Sequence, residues 1–90
     1  MTQNDYSIIR GKILEIVREE SSDAPNWPRV DDLVDQALLL INQRALEPSL
    51  DGYIIKYLDD TDIRKSDRAF GDYQRRMVRR AIDRMDCVDS

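Results

Sequence analysis

Apolar residues recur along this chain with the period of an α-helix in four segments. The first covers residues 5–21, where apolar side chains follow one another every three or four positions. In the second, residues 28–46, the apolar arc is wider than a surface helix needs, so we expect this helix to be the central one. A shorter apolar arc over residues 48–59 predicts a third helix, and a longer one over residues 67–86 predicts a fourth.

The segments between these arcs carry turn and cap residues. Residues 21–28 include two prolines, which remove backbone donors, and Pro48 stops the second helix. Between positions 59 and 67 Ile63 is the sole large apolar residue, so this stretch is predicted to be a polar connection. No segment alternates with period two, so we predict an all-α fold. It should be a small single-domain antiparallel bundle of four helices, or three plus one short, spanning 1–90.

One hydrophobic core is expected from the four arcs together. In the last helix the arc runs through Phe70, Tyr73, Met77 and Ala81, with Val78 and Ile82 on its margin. The residues that we expect to be buried together are Ile13, Val17, Val34, Ile41, Ile54, Phe70, Met77 and Ala81.

Composition supports a single small globular protein. The chain has 90 residues, 41% of them hydrophobic and 36% charged, which suffices for one modest core. Its longest aliphatic run has five residues, so we expect no membrane partner. Residues 1–6 do not resemble a secretory signal, and one cysteine, Cys87, cannot form an internal disulfide. We therefore expect a cytoplasmic protein.

Residue types that carry catalysis are scarce. The chain has no histidine, so the usual neutral-pH acid or base and the commonest metal ligand are missing, and Cys87 has no base to activate it. Glycine-rich phosphate loops and CxxC pairs are absent from the sequence. The acidic cluster Asp59, Asp60 and Asp62 fails as a calcium loop, because Arg64 and Lys65 follow where a ligand and a glycine are required. We expect no enzyme, with no catalytic, cofactor-binding or metal-binding residues.

Charge is distributed unevenly along the chain, whose net charge is −4. Residues 64–84 hold eight basic and three acidic residues, a local net charge of +5. In the last helix four arginines face away from the apolar arc: Arg75, Arg76, Arg79 and Arg80. Salt bridges along the helix account for part of this surface, but not for like charges stacked one turn apart, which a carboxylate or phosphate surface would relieve.

Three aliphatic residues lie off the core arcs of their helices, namely Ile8, Leu39 and Ile55. Single exposed aliphatic residues are common, so they point to an interface only where two or more meet in space. We hypothesise a non-enzymatic interaction protein that binds a larger macromolecular partner as an adaptor, accessory subunit or inhibitor. Phage- and plasmid-type inhibitors of host machinery belong to this class. The partner-binding residues would be the four arginines with these three aliphatic residues.

An acidic protein surface is the expected partner, and a homodimer is left open. The alternative is a nucleic-acid-binding protein that uses the arginine-rich last helix. The chain's acidic pI of about 4.7 weighs against this alternative, because phosphate would repel the chain as a whole.

Overall fold

The computed structural model describes residues 2–46, 48 and 50–89, with side chains described between residues 6 and 84. Within these ranges the chain forms five helices and no strand: α1 (Thr2–Glu20), α2 (Trp27–Arg44), α3 (Gly52–Asp59), α4 (Thr61–Ser66) and α5 (Arg68–Asp89). The all-α prediction is confirmed. The helix that was not predicted, α4, occupies the stretch that the sequence predicted to be a connection.

The chain divides into two compact units, Met1–Pro48 and Ser49–Ser90. The first unit contains α1 and α2, and the second contains α3, α4 and α5. That the whole chain is a single domain stays a prediction, and the core of each unit is described by itself.

In the first unit α1 and α2 form an antiparallel helical hairpin. Lys12 of α1 donates a hydrogen bond to Gln36 of α2 at 2.6 Å, and Arg29 near the start of α2 lies 3.6 Å from Glu19 near the end of α1. Asn26 caps α2, since its side chain accepts a hydrogen bond from the backbone N–H of Arg29 at 3.2 Å. All four residues of this unit predicted to be buried are buried: Ile13, Val17, Val34 and Ile41.

In the second unit side-chain caps define where two helices begin. Asp51 accepts a hydrogen bond from the backbone N–H of Tyr53 at 2.9 Å and so caps α3. Asp67 accepts one from the N–H of Phe70 at 3.0 Å, at the start of α5. The core of this unit contains Ile54, Tyr57, Leu58, Val78, Ala81 and Ile82.

The phase of α5 differs from the prediction. Val78 and Ile82, which the sequence placed on the margin, are fully buried, whereas Phe70 and Met77 are only half-buried. Ile54 and Ala81 are buried as predicted. The buried face of α5 is therefore turned away from its aromatic residues.

A buried polar cluster explains this phase. Arg64 of α4 is only 2% exposed, and it donates hydrogen bonds to the backbone carbonyl of Tyr57 and, at 2.9 Å, to Oε1 of Gln74. Its guanidinium also lies 3.7 Å from the centre of the Tyr57 ring. Gln74 in turn donates to Asp60 at 2.9 Å. A buried guanidinium needs acceptors, and Gln74 supplies one of them, which favours the rotation of α5 that points Gln74 inward.

Candidate partner-binding surface on α5

Three of the four predicted arginines face outward. Arg76, Arg79 and Arg80 are exposed, and Arg76 and Arg80 are one turn apart on the same side of α5. We call these three residues the arginine surface.

Arg75 does not belong to this surface, so the prediction that it faces outward is wrong. Its side chain is only 12% exposed and forms a salt bridge of 2.6 Å with Asp72. Gly71, one turn earlier on α5, accommodates this position, because a Cβ there would lie 3.1 Å from the Arg75 guanidinium, which would then have to shift by a few tenths of an ångström. The hydrogen bond from Arg75 also lowers the pKa of Asp72 below its ordinary value.

This salt bridge changes the charge balance of the arginine surface. The sequence suggested that Asp72 pairs with Arg76, four residues later, but Asp72 pairs with Arg75. With Asp72 held there, Arg76 and Arg80 present two positive charges at helical spacing. Like charges at this spacing destabilise a helix by a few tenths of a kcal/mol, which an external anionic group would relieve.

An apolar stripe lies beside the arginine surface. It consists of Phe70, Tyr73 and Met77, which follow one another at the three- and four-residue spacing of one helix side. The rings of Phe70 and Tyr73 are 6.4 Å apart between centroids, and Tyr73 is 47% exposed. Sequence reasoning assigned this apolar stripe to the core and so missed it as a surface feature. The signal was present, because α5 carries two adjacent apolar arcs that together are wider than one buried face.

Arg84, in contrast, is held within the second unit. Its guanidinium donates to Oδ2 of Asp51 at 2.7 Å, and this hydrogen bond, with that from the N–H of Tyr53, lowers the pKa of Asp51 below its ordinary value. The pair ties the beginning of α3 to α5.

The predicted aliphatic candidates fall in both units. Ile8 and Leu39 are exposed as predicted, at 48% and 58%, on the two helices of the first unit. Ile55 belongs to the second unit and is half-buried, so it is less available to a partner than predicted.

A polar cleft of about 340 Å³ lies in the first unit between α1 and α2. Arg29 in its wall is 3.6 Å from both Glu15 and Glu19, so its charges are balanced by salt bridges. Nothing in this arrangement resembles a nucleophile with its base.

Among the described residues, no group of three histidine, cysteine, aspartate or glutamate residues is placed to hold a metal ion. None of the helices, over those same residues, is long and apolar enough to cross a bilayer. No family model, curated protein or solved structure matches the chain.

Proposed function

We propose that this chain is a non-enzymatic interaction protein, which acts by binding a larger macromolecule as an adaptor, accessory subunit or inhibitor. Its contact with the partner is the arginine surface of α5, and the partner presents an acidic protein surface in the cytoplasm. The observation that carries this proposal is the outward projection of Arg76, Arg79 and Arg80 beside the exposed ring of Tyr73.

The chemistry of these residues supports a protein partner. An arginine guanidinium can form two parallel hydrogen bonds with one carboxylate, which gives orientation as well as attraction. Arginine and tyrosine are also the residue types in which interface binding energy concentrates. A positive surface on a chain of net charge −4 would orient the encounter with an acidic partner.

Charge reversal with a matched control tests the proposal. The variant Arg76→Glu with Arg80→Glu reverses two exposed charges of the arginine surface. The control variant, Arg18→Glu with Lys65→Glu, makes the same change in net charge at exposed positions on α1 and α4. Each protein is used as bait in an extract of the native host, and captured proteins are identified by mass spectrometry.

We expect the wild type and the control variant to capture the same protein, and the variant Arg76→Glu with Arg80→Glu to lose it. Circular dichroism should show equal helix content in all three, because the changed side chains are exposed. Capture of the same protein by all three baits would contradict the proposal.

Nucleic-acid binding is tested with the same variants. A helix that binds phosphate would shift labelled duplex and single-stranded probes, with an affinity that falls steeply as salt rises. If the wild type binds such probes at moderate salt and the variant Arg76→Glu with Arg80→Glu does not, the partner is nucleic acid and not an acidic protein.

A further inference from the structure

We infer that the apolar stripe and the arginines beside it form a docking surface for one kind of element, an acidic amphipathic helix of the partner protein. This inference rests on the proposed function and adds the shape and chemistry of the partner segment. It arises from the phase of α5, which leaves Tyr73 exposed and Phe70 and Met77 half-buried.

The apolar half of the surface has helical spacing. Phe70, Tyr73 and Met77 cover two turns along α5, and their exposure rises to 47% at Tyr73 in the middle. A partner helix laid along α5 would present apolar side chains at the same spacing, which is how amphipathic helices bind to apolar surfaces. The half-buried Phe70 and Met77 would form the floor, and Tyr73 would supply most of the newly buried area.

The charged half of the surface determines the sign of the charge that the partner helix must carry. Arg76 follows Tyr73 by three residues and Arg80 follows Met77 by three, so each lies next to an apolar side chain on one edge of the apolar stripe. Carboxylates that flank the apolar side chains of a partner helix would meet these guanidinium groups. Lysines at those positions would place like charges together, which disfavours binding.

Other occupants fit less well. A nucleic-acid strand would need several open rings for base stacking, whereas Tyr73 is exposed and Phe70 is half-buried. A second copy of this chain could offer Leu39, one turn after Asp35 on α2, but it provides one exposed leucine there and not a row. The test below distinguishes both a nucleic-acid strand and a second copy from an acidic helix.

The probe is a labelled helical peptide with leucines along one face and glutamates beside them, and the comparison peptide has lysines in place of the glutamates. Binding to the full chain is measured by fluorescence anisotropy. We expect the acidic peptide to bind at least about tenfold more tightly than the lysine peptide. Tyr73→Ser should weaken it by about tenfold or more, and Tyr73→Phe should retain most of the affinity.

Leu39→Ser is the matched control, because it removes a large side chain of similar exposure from the other unit. It should leave peptide binding unchanged. Arg76→Gln with Arg80→Gln should also weaken binding of the acidic peptide. Because this variant leaves the apolar stripe unchanged, it serves as the test if Tyr73→Ser lowers the helix content.

Several results would overturn the inference. They are equal binding of the two peptides, equal weakening by Leu39→Ser and Tyr73→Ser, or tighter binding of an oligonucleotide than of the acidic peptide. Light scattering that shows a dimer dissociated by both Leu39→Ser and Tyr73→Ser would identify the occupant as a second copy. If Tyr73→Ser still captures the native partner that the variant Arg76→Glu with Arg80→Glu loses, the proposed function stands and this inference fails.

Discussion

Replacing Gln74 by leucine tests the buried cluster that determines the phase of α5. Gln74 is 6% exposed and forms two hydrogen bonds with charged groups, accepting from Arg64 at 2.9 Å and donating to Asp60 at 2.9 Å. Hydrogen bonds to charged groups contribute about 1.5 to 3 kcal/mol each. The buried leucine returns up to about 2 kcal/mol through apolar burial. With that return subtracted from the two hydrogen bonds, we expect Gln74→Leu to lower the free energy of unfolding by about 1 to 4 kcal/mol.

The chain contains a matched control at Gln36. This glutamine also accepts from a cation, Lys12 at 2.6 Å, and donates to a carboxylate, Asp32 at 3.1 Å, but it is exposed. Gln36→Leu should cost less than about 0.5 kcal/mol, since water replaces both partners. The assay is urea denaturation followed by circular dichroism, with the midpoint and slope fitted for each variant. If Gln74→Leu costs no more than Gln36→Leu, the buried cluster does not stabilise the second unit and our account of the α5 phase is wrong.

Three further predictions concern other parts of the structure. Ala45 ends α2 with a left-handed φ of 53°, a conformation that glycine adopts more easily than alanine. Ala45→Gly should therefore raise the free energy of unfolding by about 1 kcal/mol, and with it the melting temperature. A lower melting temperature would contradict that backbone geometry. Because its pKa is lowered when folded, Asp51 stabilises the protein above the ordinary carboxylate pKa, and this contribution disappears as pH falls through the lowered value. The stability difference between wild type and Asp51→Asn should therefore be present at neutral pH and vanish in acid, and a difference that persists in acid would refute the linkage. Phe70→Ala should cost about 1 to 2 kcal/mol in denaturant unfolding, because Phe70 is half-buried, and a loss of 3 kcal/mol or more would restore it to the core.

The fold class and four of the five helices follow from apolar periodicity alone. The helix that was missed, α4, has six residues, among which Ile63 is the one large apolar side chain, so its sequence contains no period to detect. What α4 buries is Thr61 and Arg64, two polar residues. A method that looks for apolar residues cannot find a helix whose inward side is polar.

The same limitation explains the error on α5. Two apolar arcs compete there, and apolar content alone favours the one with Phe70 and Met77. The structure buries the other arc, on which Gln74 accepts a hydrogen bond from the buried Arg64. The position of Arg75 was misjudged for a related reason, since a glycine one turn away gives no signal in a hydrophobic pattern but leaves room for a guanidinium. The outward arginines Arg76, Arg79 and Arg80 were predictable, because opposite faces of a helix follow from spacing alone.

Tyr73 and Gln74 are neighbours in sequence, yet the phase of α5 gives them opposite roles. Gln74 is buried and bonded to Arg64 inside the second unit, whereas Tyr73 is about half exposed. A change at Gln74 should therefore appear in denaturation and a change at Tyr73 in binding. If α5 had the rotation that apolar content favours, Tyr73 would be the residue whose loss destabilises the fold, and Gln74 would belong to the surface. The separation of stability from binding at these two adjacent positions thus distinguishes the two rotations of α5 without reference to the identity of the partner.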